Sequence, residues 1–346
     1  MQTNGQSWIK FGAAAIALIM VTTSSYAHHS RSNFNFGATL ELEGTISSFE
    51  FRNPHTFLSL EVTADSGEVQ EWLLAGNSTA SLKSAGWAAD TFAIGEQVKV
   101  VGNPDRNEGK RLLFLEVITK LDGSNYASGK IAPGGRPSAS VAEAEGSKDF
   151  TGVWQPPFNP RGVAANFQVA QLPMTEKGQP FIDAYDEGED PALDCEADAT
   201  PMTVLPVYPM QITRSENELH MHYEQFDGRR VVYLGLDEHP VDTSATHMGH
   251  SIGSIDGNVL TVDTRYFAED RWGLGRGAPS GLGKHVVERY TLADDGMTMA
   301  VEYTFEDPEY LIGSVTESGS MAFRPDYTLE EWDCDATAAR RHLSVD

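Results

Sequence analysis

Basic residues are scarce in this sequence. Its 346 residues include 25 Lys and Arg against 50 Asp and Glu, which gives a formal net charge of −25 at pH 7. Such a surface repels phosphate backbones, so the composition argues against nucleic acid as a partner. The charge suits cationic ligands, a salty habitat or, more simply, an acidic surface that keeps the protein soluble.

Cysteine is scarcer still, with only Cys195 and Cys334. In an oxidising compartment these two could pair, which would tie the start of a second domain to its C-terminal end. Two free buried thiols are the alternative. Sequence spacing does not decide between them, because a disulfide depends on the distance between the two Cα atoms.

Long apolar stretches are missing after the N-terminus. Residues 1–27 combine Lys10, the apolar stretch from Phe11 to Val21 and the small-x-small site Ser25-Tyr26-Ala27, which is typical of a signal peptide. The stretch is short for a bilayer span, although a retained N-terminal anchor is the alternative. We therefore expect a periplasmic or secreted protein, cleaved after Ala27, with no transmembrane segment afterwards.

The stretch from residue 28 to 123 has the pattern of a small β domain. Polar and apolar residues alternate in five segments that are bounded by Gly or Pro. A helical stretch from Asn77 to Ala88, with Ser78 as a candidate N-cap, separates the third segment from the fourth. Three strands, one helix and two strands is the order of an OB-like barrel, so we predict that fold for 28–123.

The remaining chain divides at residues 124–148, which are rich in Gly, Ser, Ala and Pro and have the composition of a linker. Residues 149–346 again form short strand patterns, several joined by tight turns such as Asp227-Gly228 and Asp256-Gly257-Asn258. This pattern predicts a larger antiparallel, calycin-like β-barrel, with a two-sheet sandwich as the alternative. The predicted fold class is mainly β.

Two sets of short motifs mark the two halves of the chain. In the first half they are Ala27-His28-His29-Ser30, Leu42-Glu43-Gly44-Thr45-Ile46, Asn53-Pro54-His55, Trp72, Gly86-Trp87 and Gly95-Glu96-Gln97-Val98. This half resembles a family of uncharacterised exported bacterial proteins. In the second half they are Arg230-Val231-Val232-Tyr233, His239-Pro240, Gly249-His250-Ser251-Ile252-Gly253, Leu260-Thr261-Val262-Asp263-Thr264, Val286-Val287-Glu288-Arg289-Tyr290 and Glu306-Asp307-Pro308. This half resembles a second uncharacterised secreted β domain, with Ile255 where a tryptophan is usual. Neither resemblance implies a settled activity.

A metal site is predicted at the mature N-terminus. Cleavage after Ala27 would leave His28 as the first residue and His29 as the second, so one dipeptide would carry a free amine and two imidazoles. Copper favours nitrogen-rich, near-planar sites of this kind, and zinc is the alternative. His55, stiffened by the preceding proline, is the candidate third ligand. The opposing interpretation is a disordered terminus with solvated histidines.

Weaker sites lie in the second half. His220 and His222 would share one strand face, which is good metal-ligand geometry, although a solvated polar face is the simpler interpretation. The stretch Gly249 to Gly253 matches a serine-hydrolase nucleophile elbow, with Asp263 and His285 following in hydrolase order. The elbow requires a strand before it and a helix after it, and the pattern here predicts a turn and another strand, which argues against that chemistry.

Five charged residues on or beside the predicted barrel strands could form a pocket if several face inward. They are Glu224, Arg230, His250, Asp263 and Glu288. Salt bridges on the outer surface are the alternative. The sequence therefore predicts an exported metal-binding protein, with copper at the N-terminal histidines and a second barrel for a small-molecule ligand or an envelope protein. An exported enzyme with its active site in the second barrel, and an envelope interaction module without either site, are the competing hypotheses.

Overall fold

The computed structural model describes residues 33–128, 141, 144–156, 172–204, 208–275 and 277–344. Strands form 43% of the described residues and helices 10%, and the strands close into a smaller and a larger barrel. This confirms the predicted mainly β fold class. Within those ranges, the helices are too short or too polar to cross a lipid bilayer.

The first barrel lies in the N-terminal part of the chain. Its strands are β1 Leu40–Glu50, β2 Phe57–Thr63, β3 Val69–Ala75, β4 Gln97–Pro104, β5 Leu112–Lys120 and β6 Asn125–Ala127. They follow the spatial order β3-β2-β1-β4-β5-β6, and a parallel pair between β3 and β5 closes the first five into a barrel. Strand β6 falls within the stretch predicted as a linker, and hydrogen bonding to the first sheet continues as far as Ser128, whose N–H donates to the carbonyl of Glu116.

A short helix, α1 (Thr79–Lys83), separates β3 from β4 at the position that the sequence predicted. Its N-cap is Ser78, whose Oγ accepts a hydrogen bond from the backbone N–H of Ser81 at 3.4 Å. The helix is shorter than the predicted stretch because Gly86 adopts a φ of +86°, which turns the chain and lets Trp87 enter the core.

Nine strands form the second barrel. They are β7 Gly152–Gln155, β8 Met210–Ser215, β9 Glu218–Tyr223, β10 Gly228–Leu234, β11 His250–Asp256, β12 Val259–Arg265, β13 His285–Leu292, β14 Thr298–Glu306 and β15 Ser314–Phe323. Neighbours in sequence are neighbours in space, and β15 returns to β7 to close the barrel. The short helix α2 (Gln179–Asp183) lies between β7 and β8 in sequence, and α3 (Ala336–Ala339) follows β15.

One strand pair of the larger barrel is parallel, and it determines where a cleft can form. Val232 of β10 pairs in parallel with Ser251 of β11, whereas the other neighbouring pairs are antiparallel. Parallel neighbours cannot be joined by a tight turn. The chain therefore makes a longer connection, residues 235–249, which we call the crossover.

Side chains alternate between the two faces of the barrel wall. Along β12, Leu260, Val262 and Thr264 are fully buried in the interior, while Asp263 and Arg265 belong to the opposite, outer face. Large side chains such as Trp154, Tyr290 and Phe305 fill the interior.

The C-terminal tail, residues 325–344, connects the two barrels. Cys334 in the tail forms a disulfide with Cys195, with 5.9 Å between their Cα atoms, so the pair left open by the sequence is joined. The backbone of Asn53 in the first barrel bonds to the tail on both sides of that cysteine. Its N–H donates to the carbonyl of Asp333 at 2.9 Å, and its carbonyl accepts from the N–H of Asp335 at 3.1 Å.

Ion pairs reinforce this contact between the tail and the first barrel. Lys83 Nζ lies 2.7 Å from Glu330 Oε2, Arg52 pairs with Asp333, and Arg341 pairs with Glu50. On the other side of the tail, Arg340 binds Asp194 at 2.5 Å, beside the disulfide. The tail is thus bonded to both halves of the molecule.

Candidate functional site

Five ionisable side chains form a continuous hydrogen-bonded chain on the outer face of the second barrel, and we call them the histidine relay. His250 Nδ1 lies 2.8 Å from His239 Nδ1, and His239 Nε2 lies 2.9 Å from Asp263 Oδ1. Asp263 Oδ2 lies 2.8 Å from His285 Nε2, and His285 Nδ1 lies 3.2 Å from Glu306 Oε1. The relay therefore begins at β11, crosses β12 and β13, and ends at β14.

The strand register explains why these residues meet. His250 pairs across the sheet with Arg265, and His285 pairs with Glu306, while Asp263 is two residues before Arg265 on the same face. The crossover supplies the remaining member, His239, whose side chain is only 8% exposed. Parallel pairing of β10 and β11 is thus what brings a loop histidine onto the strand residues.

Asp263 is ionised across the physiological pH range. Burial alone would raise the pKa of this carboxyl, but hydrogen bonds from His285 and His239 and the nearby Arg265 guanidinium hold the pKa at about 2. Arg265 Nε lies 3.3 Å from Asp263 Oδ1. The hydrogen bond with Asp263 raises the pKa of His285 above its ordinary value, and Glu306 adds to the effect.

The opposite end of the relay is electrostatically different. Burial lowers the pKa of His250, and a second proton on the neighbouring His239 ring would lower it further. The His250 ring stacks on Tyr233 with 5.0 Å between centroids and 16° between planes. His250 is therefore neutral at neutral pH, whereas the proton affinity of His285 is increased.

These contacts determine which ring nitrogens carry protons. An ionised carboxylate only accepts hydrogen bonds, so Asp263 requires an N–H at Nε2 of both His239 and His285. When the His239 ring carries one proton, that proton is on Nε2, and the lone pair on Nδ1 accepts from the Nδ1–H of His250. The lone pair of His250 consequently lies on Nε2, for which the described residues supply no hydrogen-bond partner.

His250 lines an open cleft of about 260 Å³ between the outer face of β10 and the crossover. The outward residues of β10 that line it are Arg229, Val231 and Tyr233. The crossover contributes Thr243, Ser244, Thr246, Met248 and Gly249, and Arg230 completes the lining. The cleft thus places a neutral imidazole beside hydroxyl groups and a guanidinium.

The structure distributes the five predicted pocket residues over three places. His250 and Asp263 belong to the relay on the outer face, while Arg230 and Glu288 face each other in the barrel interior. Arg230 and Glu288 form a bidentate pair with distances of 2.5 and 3.0 Å, and both side chains are almost fully buried. Glu224 lies apart from both groups.

The interior pair is enclosed by further polar contacts. Tyr290 donates to Glu288 at 2.6 Å, and Arg230 donates to Tyr223 at 2.9 Å. Burial opposes the charge of the guanidinium, but Glu288 raises the pKa of Arg230 well above its ordinary value. These contacts satisfy both terminal nitrogens of Arg230, although its Nε is buried without a partner among the described residues. The geometry indicates a structural pair within the barrel.

Glu224 follows β9 and is buried against the C-terminal tail. Its Oε2 accepts from Tyr327 Oη at 2.7 Å and from the backbone N–H of Glu330 at 2.9 Å. Its Oε1 is buried without a partner among the described residues. Burial raises the pKa of Glu224 to about 7 despite these hydrogen bonds.

The predicted metal ligands are dispersed in the part of the chain that the structure describes. His220 and His222 share the outer face of β9, but His220 contacts Glu218 at 3.1 Å and His222 contacts Asp227. His55 is half-buried, with its ring 6.4 Å from that of Phe57. His28 and His29 lie outside the described residues. Within those residues, no three His, Cys, Asp or Glu side chains are arranged to hold a metal ion.

The hydrolase-like motif separates into two faces of the barrel wall. Asp263 and His285 are hydrogen-bonded, as hydrolase order would require. Ser251, however, is buried on the interior face, where its Oγ lies 2.9 Å from Thr264 Oγ1. A serine on the opposite side of the wall cannot use that base, so the geometry agrees with the sequence argument against a serine hydrolase.

Comparison with known proteins adds little to this geometry. Residues 15–113 match a protein family described as a family of unknown function, DUF6152. The match ends inside β5 and thus covers most of the first barrel but none of the relay. It fits the resemblance of the first half to uncharacterised proteins. No curated protein matches the chain.

Proposed function

We propose that this is an exported protein whose second barrel binds a small molecule in the His250 cleft and accepts a proton from it. The carrying observation is the chain of hydrogen bonds from Asp263 through His239 to His250, which leaves His250 Nε2 as an available base at the cleft. An imidazole oriented by a carboxylate is the arrangement that general bases use in enzymes.

The size of the cleft restricts the ligand. Pockets for drug-sized molecules are about 300–1,000 Å³, so a cleft of about 260 Å³ suits a smaller molecule. If that molecule is converted rather than only bound, the protein is an exported enzyme, and His250→Gln would lower its rate by roughly 10²- to 10⁴-fold. Both possibilities need the same protonation state of His250.

Nuclear magnetic resonance of ¹⁵N-labelled histidine rings tests this protonation state. At pH 7 we expect His250 as the neutral tautomer with its proton on Nδ1, and in His239→Gln we expect a mixture of tautomers. His220→Gln, which changes a histidine outside the relay, should leave the His250 signal unchanged. A wild-type His250 that carries its proton mainly on Nε2 would contradict the proposal.

Copper binding is a second candidate function, proposed for the first half. Its support is the match that begins at residue 15 and therefore includes His28, His29 and His55 within one family of domains. The order of three strands, a helix and two strands, closed by the parallel pair of β3 and β5, supports an OB-like domain as the carrier. Zinc is the alternative metal.

Calorimetric titration with Cu²⁺ tests the second candidate on the secreted protein, whose N-terminus is first checked by mass spectrometry. We expect one ion per chain and weaker binding as pH falls from about 8 to 5, because the imidazoles and the amine must be deprotonated. One extra residue before His28 should weaken binding as much as His55→Ala. Equal binding by all three proteins would place the copper elsewhere.

Export itself is part of the proposal. The signal-like residues 1–27 support it, and so does the disulfide between Cys195 and Cys334, because such bonds persist in oxidising compartments. A periplasmic or secreted protein of this kind would meet its ligand, or an envelope protein, outside the cytosol.

A further inference from the structure

The His250 cleft differs in charge from the rest of the molecule. The chain carries 50 Asp and Glu residues against 25 Lys and Arg. The residues that line the cleft nevertheless include Arg229 and His250 and, among the described residues, no carboxylate. On so acidic a protein, a cleft lined in this way is a local exception that favours a negatively charged ligand.

Arg229 has hydrogen-bond donors to spare. Its side chain is 66% exposed, and its Nη2 donates to Asp227 Oδ1 at 2.9 Å. Asp227 also contacts His222, so its charge is shared between two partners. A guanidinium has five N–H donors, and one contact leaves a planar edge that matches the two oxygens of a carboxylate. Asp227 thus positions the guanidinium of Arg229 but uses only one of its N–H donors.

The other lining groups suit the rest of such a ligand. Ser244 brings a hydroxyl group from the crossover, whereas the hydroxyls of Thr243 and Thr246 already donate to the backbone carbonyls of Pro240 and Gly249. Tyr233 supplies a ring that is fixed by stacking on His250. Hydroxyl groups can donate to anionic oxygens, and an aromatic wall accommodates a small apolar body.

We propose that the cleft binds a small organic carboxylate, with Arg229 pairing the carboxylate group and the Ser244 hydroxyl adding a hydrogen bond. This inference rests on the proposed function of the same cleft and names its ligand class. It also assigns Arg229 as the residue that determines specificity for charge.

Benzoate and benzamide are suitable probes, because they have the same size and shape and differ in charge. Binding is followed through the ring signals of His250 while each compound is added to the full mature chain. We expect saturable binding of benzoate that is at least tenfold tighter than that of benzamide. Arg229→Gln should weaken benzoate binding at least tenfold and leave benzamide unchanged. Arg289→Gln, which removes an exposed arginine from the outer face of β13, should change neither.

Equal affinity for the two compounds, no saturable shift with benzoate, or equal effects of Arg229→Gln and Arg289→Gln would overturn the inference. The tautomer of His250 is measured in the same spectra without any ligand. A relay with the expected tautomer but no preference for benzoate would therefore refute the carboxylate ligand alone, whereas a wrong tautomer would refute the acid–base site.

Discussion

At the scale of single residues, Asp263 determines the state of the whole relay. It is the carboxylate that His239 and His285 share, and its low pKa keeps it able to accept from both. His285 gains proton affinity through this contact, whereas His250 loses proton affinity through its burial and through His239. The relay thus has a proton-holding end at His285, beside the half-buried Asp263 carboxylate, and a proton-accepting end at His250.

We expect Asp263→Asn to lower the pKa of His285 and to reduce stability by about 1–3 kcal/mol. The lowered pKa of Asp263 contributes stability that is present above pH ~3.9 and lost as pH falls towards 2. The raised pKa of His285 contributes stability that is present below pH ~6.5 and lost as pH rises through its folded value. Urea unfolding should therefore show the largest loss between about pH 4 and 6.5.

Asp256→Asn is the matched control, because Asp256 is an exposed aspartate at the turn between β11 and β12. It should not change the pH dependence of unfolding. A loss of stability in Asp263→Asn that is the same at pH 5 and pH 9 would contradict the electrostatic explanation.

For Glu224 we expect the opposite pH dependence of stability from that of Asp263, because the pKa of Glu224 is raised to about 7. The folded state then holds a proton that the unfolded state releases above pH ~4.3, so this group lowers stability as pH rises from about 4 to 7. Glu224→Gln keeps an oxygen for Tyr327 and Glu330 but carries no charge. We expect unfolding at pH 8 to cost about 1–3 kcal/mol more in this variant than in the wild type, with no difference at pH 4.5.

The control for this variant is Glu71→Gln, which changes an exposed glutamate of β3. It should leave the stability at both pH values unchanged. If Glu224→Gln destabilises the protein at pH 8, the carboxylate must be stabilised there by contacts that outweigh its burial.

At the scale of secondary-structure elements, the ion pair of Arg230 and Glu288 joins β10 to β13 across the barrel interior. Removing one partner leaves a buried charge, so Glu288→Gln should cost about 3–5 kcal/mol. The double change Arg230→Met with Glu288→Leu should cost much less, since no uncompensated charge remains. Chemical denaturation of the three proteins measures this, and equal losses in both variants would refute the charge argument.

The C-terminal tail is the element that depends most on one covalent bond. Replacing Cys195 and Cys334 by Ser should lower the free energy of unfolding by about 2–5 kcal/mol, because the bond closes a long loop of the unfolded chain. Hydrogen exchange should accelerate at the amides of Asn53 and Asp335, whose hydrogen bonds join the first barrel to the tail. The amides inside β1 provide the control and should exchange as before. Unchanged exchange at Asn53 would show that the ion pairs alone hold the tail.

At the scale of the whole molecule, local sequence patterns predicted the bounds of the strands better than they predicted which strands pair with each other. The alternation from Met210 to Ser215 predicts a strand, and β8 has those bounds, because strand alternation and a tight turn are properties of adjacent residues. The parallel pairing of β10 and β11 was not predicted, since pairing joins segments separated by the crossover. Residues Gly249 to Gly253 have the composition of a turn, so their pattern did not predict that β11 begins at His250.

The relay shows the same limit for the site. His250 and Asp263 were singled out as pocket candidates, and His285 as part of a hydrolase order, but each was placed by its own strand pattern. His239 was noted only within the His239-Pro240 motif, because nothing in its neighbourhood indicates that a loop returns to β11 and β12. The pairing register of the strands determines which side of the barrel wall a residue faces. That register was established only by the structure of the whole barrel.

The disulfide has a topological consequence for the second barrel. Cys195 and Cys334 are 139 positions apart, and strands β8 to β15 all lie between them. These strands therefore belong to a covalently closed ring of polypeptide. A protease that cuts once within the crossover would open the ring without releasing a fragment, so the nicked protein would migrate as one species on a denaturing gel until a reducing agent is added. Outside the cell, where peptidases are common and reductants are few, the barrel that carries the relay would keep all of its strands after such a cut.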